Sequence, residues 1–161
     1  MTSSYNNNST ILNIPTDTTI LTQDMLDNIR YDENIKHLII PHSITKIEKE
    51  AFGICRHLVS ITLPYSIKTI EALAFYDCRN LASITIPEGV YHIDYCAFQK
   101  CTNLTSITIP DSVTTIGALA FYGCRGLTSI TIPNNLTKIE ELAFAQCTSL
   151  TDITIPNSVT E

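Results

Sequence analysis

The sequence predicts a repeat solenoid, a stack of coils in which every 23-residue repeat supplies one short parallel strand and one short helical or 3-10 segment. Three columns of residues carry this expectation. All five phenylalanines, Phe52, Phe75, Phe98, Phe121 and Phe144, stand 23 residues apart. Five of the six cysteines (Cys55, Cys78, Cys101, Cys124, Cys147) keep the same step, and so do six of the seven prolines (Pro41, Pro64, Pro87, Pro110, Pro133, Pro156). Self-similarity at a fixed period of this length marks stacked repeats.

Aligned on that step, the repeats open at Ile35, Leu58, Leu81, Leu104 and Leu127, and a sixth opens at Leu150 and stops at Glu161. The shared pattern is L-x-x-I-x-I-P-x-x-V-x-x-I-x-x-x-A-F-x-x-C-x-x. At positions 4 and 6 apolar residues such as Ile107 and Ile109 alternate with small polar ones, Ser106 and Thr108, the period-two pattern of a strand with one buried face. The proline at position 7 has no amide hydrogen for a neighbouring strand, so it closes the strand and turns the chain. Apolar positions 10 and 13, Val113 and Ile116 in one copy, lead into the expected helical turn with its Ala-Phe pair. An acid often stands at position 14 (Glu48, Glu71, Asp94, Glu140), where a helix N-terminus favours negative charge; Gly117 breaks the column.

One repeat alone has too few apolar side chains to offset the entropy of ordering its backbone. Stability must come from interfaces between coils, each covering its neighbour's faces. The phenylalanines are then expected to form a stacked spine.

The ends differ from the middle. Residues 1–10 are polar and rich in Asn and Ser, the composition of a disordered segment. Residues 11–34 read as a degenerate N-terminal capping repeat: Ile11-Leu12-Asn13-Ile14-Pro15 echoes the strand and proline, and Thr22 to Arg30 reads as a helix capped by Thr22. Residues 35–161 form the solenoid, five full repeats and one truncated. The stop in mid-repeat is expected of a fragment of a longer protein.

Charge and composition narrow the function classes. No apolar run approaches the roughly 18 residues that span a membrane, so no membrane insertion is expected. The net charge of −6 opposes phosphate, and the arginine column Arg56, Arg79, Arg125 is interrupted by Thr102 and Thr148, so no nucleic-acid partner is expected either. Those arginines read as solvated turn residues. His37, His42, His57 and His92 keep no metal-ligand spacing, and the Cys, Ser and Thr recur only because the core and strands recur. No enzyme, cofactor or metal is therefore predicted.

Column cysteines one strand spacing apart sit wider than a disulfide prefers, so they read as free, buried, apolar thiols. Cys96, at position 16 where Leu73, Leu119 and Leu142 stand in other copies, reads as one more core residue. Unpaired thiols and the lack of a basic start followed by an apolar segment point to the cytoplasm. If the chain is exported, Asn103-Leu-Thr and Asn135-Leu-Thr are glycosylation acceptors.

The run Leu104-Thr-Ser-Ile-Thr-Ile-Pro-Asp-Ser-Val-Thr-Thr-Ile-Gly-Ala-Leu-Ala-Phe-Tyr-Gly-Cys and its copies resemble the BspA-like class of leucine-rich repeats over residues 35–161. That resemblance implies a right-handed leucine-rich-repeat coil, no enzymatic activity, and a protein-protein interaction role, often adhesion to host proteins at the surfaces of bacteria and parasitic protists. It also sets a surface or secreted location against the cytoplasmic reading. No ligand residue carries over, because the motif consists of core positions.

Function is then expected on exposed positions. One candidate is the outward strand face: Ser60, Ser83, Ser106 and Ser129 at position 3, with Thr62, Thr85, Thr108, Thr131 and Thr154 at position 5. Threonine suits strands and these hydroxyls are expected to bond across them. The face suits weak, multivalent adhesion, and a regular hydroxyl array also admits ice or a glycan. The second candidate is the variable surface after the proline, where His42, Tyr65, Glu88, Tyr91 and His92 form the least uniform patch. The leading reading is an adhesive surface module with a protein partner; the alternative is an intracellular scaffold.

Overall fold

The structure, a computed structural model, describes residues 4–6, 9–11 and 14–161, the first two stretches by their backbone alone. Each repeat makes one turn of a solenoid and adds a strand to each of two sheets. In chain order the elements are β1 Ser4–Asn6, β2 Ser9–Ile11, β3 Ile20–Leu21, α1 Gln23–Tyr31, β4 His37–Ile39, β5 Lys46–Ile47, β6 Ser60–Thr62, β7 Thr69–Ile70, β8 Ser83–Thr85, β9 His92–Ile93, β10 Ser106–Thr108, β11 Thr115–Ile116, β12 Ser129–Thr131 and β13 Lys138–Ile139.

The first sheet runs β1-β2-β4-β6-β8-β10-β12 and is the one the alternating pattern predicts. From β2 onward its strands are parallel. Its register steps by one repeat, with Ser60 opposite Ser83, Ile61 opposite Ile84 and Thr62 opposite Thr85, so every side chain lies on its own copy. The second sheet, β13-β11-β9-β7-β5-β3, was not expected. It uses two residues per coil, at positions 12 and 13, where Ile70 and Ile93 point inward and Thr69 and His92 outward.

The predicted helical segment takes a different form. In residues 50–55 the amides of Ala51, Gly53 and Cys55 bond three residues back, as in a 3-10 turn, but those of Glu50, Phe52 and Ile54 bond across to Ala72, Ala74 and Tyr76 of the next coil. The same alternation recurs in the next coils, as in Phe75 N to Ala97 O and Phe98 N to Ala120 O, both 2.8 Å. The third side is thus also a ladder between coils, and this satisfies amides that an isolated short turn leaves open. Aiming alternate amides outward requires left-handed backbone at position 16 (Glu50, Leu73, Cys96, Leu119, Leu142) and position 20 (Ile54, Asp77, Lys100, Gly123, Gln146), with φ between 54° and 71°. With no helix there, the position-14 acids serve otherwise: Glu140 accepts from the Ala118 amide at 3.1 Å, and Asp94 from that of Tyr95 at 2.6 Å.

Inside, the phenylalanine spine is present. Successive rings lie 5.2–5.4 Å apart between centroids and within 6° of parallel. Phe52, Phe75, Phe98 and Phe121 are fully buried, and the alanine before each is buried too. Position 16 departs from expectation: Cys96 is buried, but Leu73 and Leu119 are half-buried and Leu142 is 52% exposed, because the left-handed residue sits at the rim of the turn.

At the N-terminal end, residues 1–3, 7–8 and 12–13 lie outside the described residues, and the disorder expected for 1–10 falls partly on them; of the described stretches, Ser4–Asn6 and Ser9–Ile11 pair antiparallel instead. The helix expected at 22–30 is α1; Thr22 holds the N-cap position, but its side chain makes no capping bond. Leu21, Leu26 and Ile29 join the common core. Arg30, almost wholly buried, donates from Nη2 to the carbonyls of Glu50 and Ala51 at 3.2 and 3.3 Å. In later coils the carbonyl equivalent to that of Ala51 accepts instead from a phenylalanine amide.

Candidate interaction surface

The solenoid offers three sides built by three different ladders. The first sheet presents a hydroxyl lattice: Ser83, Thr85, Ser106, Thr108, Ser129 and Thr131 are all exposed, and register places Ser106 beside Ser129 and Thr108 between Thr85 and Thr131. The expected cross-strand bonds between these hydroxyls are absent among the described residues. The one side-chain bond across this face joins His37 Nδ1 to Ser60 Oγ at 2.9 Å. Hydroxyls at the coil corners do bond between coils: Thr114 Oγ1 donates to the Tyr91 carbonyl at 3.3 Å and Thr137 Oγ1 to that of Thr114 at 3.0 Å. Apart from Ser60, the strand-face hydroxyls make no hydrogen bond among the described residues and face solvent.

Between the two sheets runs the proline corner, which holds the other predicted residues. His42, Tyr65 and Glu88 occupy position 8 of three successive coils and are exposed. Tyr91 stands three residues beyond Glu88, at the foot of the second sheet, and His92 follows it in β9. Tyr65 is 74% exposed and Tyr91 53%. Neither phenol makes a hydrogen bond among the described residues. The His92 Nε2 lies 3.6 Å from Asp94 Oδ1. All five thus share one corner and its neighbouring ladder, while the hydroxyl lattice lies around the bend on the first sheet. Two exposed rings escaped sequence reasoning, Tyr95 at 47% and Tyr31 at 73%. Tyr95 was detectable, since its column otherwise reads Lys49, Ala72, Ala118 and Glu141.

The turn side holds the charge that the sequence underrated. Asp77, 2% exposed, is gripped by two arginines. Arg56 donates from Nε and Nη2 to its Oδ2 at 2.9 and 2.7 Å, and Arg79 donates from Nε to its Oδ1 at 2.8 Å. Burial pushes the Asp77 carboxyl upward, but the hydrogen bonds and charges of Arg79 and Arg56 outweigh it and hold the group below the usual 3.8. Arg56 and Arg79 are therefore anchors of a buried carboxylate, not merely solvated turn residues.

The six cysteines are free and buried. Four of them do more than fill space: Cys78, Cys101, Cys124 and Cys147 donate from Sγ to the carbonyls of Phe52, Phe75, Phe98 and Phe121, one coil back, at 3.0–3.2 Å. Burial raises their pKa, so they stay protonated donors. Among the described residues no group of three or more His, Cys, Asp or Glu is placed to hold a metal ion, and no helix is long and apolar enough to cross a membrane.

These ladders match a known repeat. The BspA type leucine rich repeat region fits the chain in six copies over residues 23–118 and 68–161. The chain belongs to the BspA-type leucine-rich repeat family. Solved structures agree. A leucine-rich repeat protein of T. pallidum is 33% identical, with a TM-score of 0.69, covering 70% of this chain and 55% of that one. A leucine-rich cell surface protein of Faecalibacterium prausnitzii is 38% identical, TM-score 0.69, covering 70% and 30%, and a leucine-rich repeat protein of Eubacterium ventriosum is 27% identical, TM-score 0.73, covering 79% and 34%. The chain thus spans from under a third to just over half of the length of these relatives. A search among curated proteins gives no match. BspA-type repeats are generally protein-interaction modules and typically non-enzymatic.

Proposed function

We propose that this chain is the binding region of a cell-surface adhesion protein that holds host or matrix proteins on its proline corner and hydroxyl face. The observation that carries the reading is the pair Tyr65 and Tyr91, exposed and with phenols that have no hydrogen-bond partner among the described residues, on a corner whose backbone is locked between coils. A ring held on a rigid ladder loses little freedom when it is covered, and tyrosine is enriched in contact surfaces. His42, Glu88 and His92 supply polar contacts beside the rings. Ser83, Thr85, Ser106, Thr108 and Thr131 are free to exchange water for a partner's polar groups. The Faecalibacterium relative, described as a cell surface protein, supports the location. In this reading residues 11–34 cover the first coil, with Arg30 supplying the donor that no earlier coil provides.

The unpaired thiols had favoured an intracellular scaffold. Burial and the bonds to phenylalanine carbonyls weaken that ground, because such thiols persist in oxidising surroundings as well. Surface labelling of intact cells tests the location. Capture of a partner from host or self lysate, repeated with Tyr65→Ala/Tyr91→Ala, tests the face. Label on the chain and a capture that falls with the double variant are expected; an unlabelled chain on intact cells, or undiminished capture, removes the reading.

A further inference from the structure

The turn side carries a depression of about 320 Å³ whose lining includes Asp77, Arg79, Lys100, Tyr122, Gly123 and Arg125. The interrupted arginine column turns out to be continuous in charge. Where the third coil has Thr102 in place of arginine, Lys100 two residues earlier fills the gap, so Arg56, Arg79, Lys100 and Arg125 place one cation on each of four successive coils. Coil spacing along the phenylalanine spine is 5.2–5.4 Å.

Most of these donors are unspent. The single acid lining the depression is Asp77, and both its oxygens are already taken by Arg56 and Arg79. Arg79 uses only Nε there. The Arg125 guanidinium has no hydrogen bond or ion pair among the described residues, and Lys100 rests 5.6 Å over the Tyr76 ring with a long contact of 3.5 Å to its hydroxyl. The floor is open because the fourth coil has glycine at position 20, with φ +71°, where other coils carry Ile54, Asp77, Lys100 and Gln146. A Cβ built there meets Lys100 Cγ at 3.7 Å.

We propose that this groove docks an acidic, extended peptide segment of the protein partner, its carboxylates held by Arg79, Lys100 and Arg125 and its backbone lying over Gly123. The proposal rests on the protein-binding reading above and deepens it. Charge complementarity selects the occupant. On a chain of net charge −6 this is a place where an acid meets several cations with donors to spare. Alternate side chains of an extended peptide fall on one face about 6.6–6.8 Å apart, close enough to the coil step for two of its acids to reach neighbouring cations.

The test uses the full chain, a fluorescein-labelled poly-glutamate peptide and fluorescence anisotropy at low and high salt, with a heparin-derived oligosaccharide in parallel. Variants are residues that the fold itself places at these positions: Lys100→Gln and Gly123→Gln as at Gln146, and Arg125→Thr as at Thr102 and Thr148. Lys46→Gln and Lys138→Gln, on the second sheet, are the controls. The peptide is expected to bind and to weaken as salt rises. Lys100→Gln and Arg125→Thr are each expected to weaken it about fivefold. Gly123→Gln, which fills the groove and leaves every charge, is expected to weaken it as well, while the controls match the parent. No peptide binding, equal losses in the controls, or tighter binding of the oligosaccharide would overturn the proposal. A lysate partner still held by Lys100→Gln/Arg125→Thr would overturn the groove alone and leave the protein-binding reading standing.

Discussion

The thiol of Cys101 donates to the carbonyl of Phe75, one coil back, at 3.2 Å. That carbonyl already accepts the amide of Cys78 at 3.3 Å, so the sulfur supplies a second bond to an acceptor with two lone pairs. The cysteine column is thus fitted by size and by donor capacity together. Replacing Cys101 with Ala leaves the oxygen half-satisfied and a small void, a loss of about 1–2 kcal/mol. Serine keeps a donor and is expected to lose less than alanine. Urea melts of the two variants decide it: a serine that costs more than alanine shows that the sulfur acts by volume alone.

The same burial makes a prediction about pH. Burial lifts the Cys55 thiol to about 11 from its ordinary 9.0, with the charge and hydrogen bond of Arg30 pulling it back part of the way, and lifts Cys78 and Cys101 well above 9.0 too. The native state then binds protons that the unfolded chain releases. Stability from these groups is complete below pH 9.0 and falls as pH rises from there through the folded values. Melting temperature is expected to be level in neutral solution and to drop steadily above that point. In neutral buffer a thiol reagent should find none of the six cysteines in the native chain and all six after denaturation. Rapid reaction of the native column would contradict the burial.

Asp77 governs the acid limb. Its carboxyl is held below the ordinary 3.8, so its contribution is present above that value and is lost as pH falls through the depressed one. Both arginines are more than half exposed, at 58% and 54%, and solvent screens the pairs. Asp77→Asn, which keeps shape and tolerates φ 56°, is accordingly expected to cost only about 1–2 kcal/mol. Denaturant melts at neutral and acidic pH check the sign: the variant should lose less on acidification than the parent does.

What could be read in advance follows from which residues repeat. Phe, Cys and Pro recur because every coil must fill the same interior, so the stack and its spine are legible from spacing. The second sheet is not, since a two-residue strand such as Thr69-Ile70 is too short to show alternation. The turn ladder looks helical because Phe52 and Cys55 stand three apart, the spacing of a 3-10 bond, and the outward amides between them leave no mark on side-chain pattern. Its left-handed positions lack the usual glycine or asparagine except at Gly123. The Asp77 clamp was within reach, as the lone acid of its column, two residues before Arg79. The cationic groove was hidden because Lys100 belongs to a different column from the arginines and joins them only in space.

That left-handed backbone is dictated by neighbours and not by local preference, and Ile54 shows the cost. It is β-branched, 38% exposed and held at φ 59°, a region where L residues other than Gly, Asn and Asp are disfavoured by roughly 1–2 kcal/mol. What holds it there is the bond from its amide to the Tyr76 carbonyl across the coil interface, together with the turn bonds on either side. Ile54→Asn keeps the amide and relieves the crowding at Cβ, while giving up the apolar burial of a side chain that is more than half covered; the two effects are of similar size, about 1–2 kcal/mol each. Ile54→Val keeps the crowding and loses one methyl group, about 0.5–1 kcal/mol. Backbone relief therefore predicts that Ile54→Asn is the more stable of the two variants although it gives up more apolar surface. Paired melts of the two variants separate backbone relief from side-chain burial: an Ile54→Asn variant less stable than Ile54→Val would mean that the ladder imposes no strain at this position.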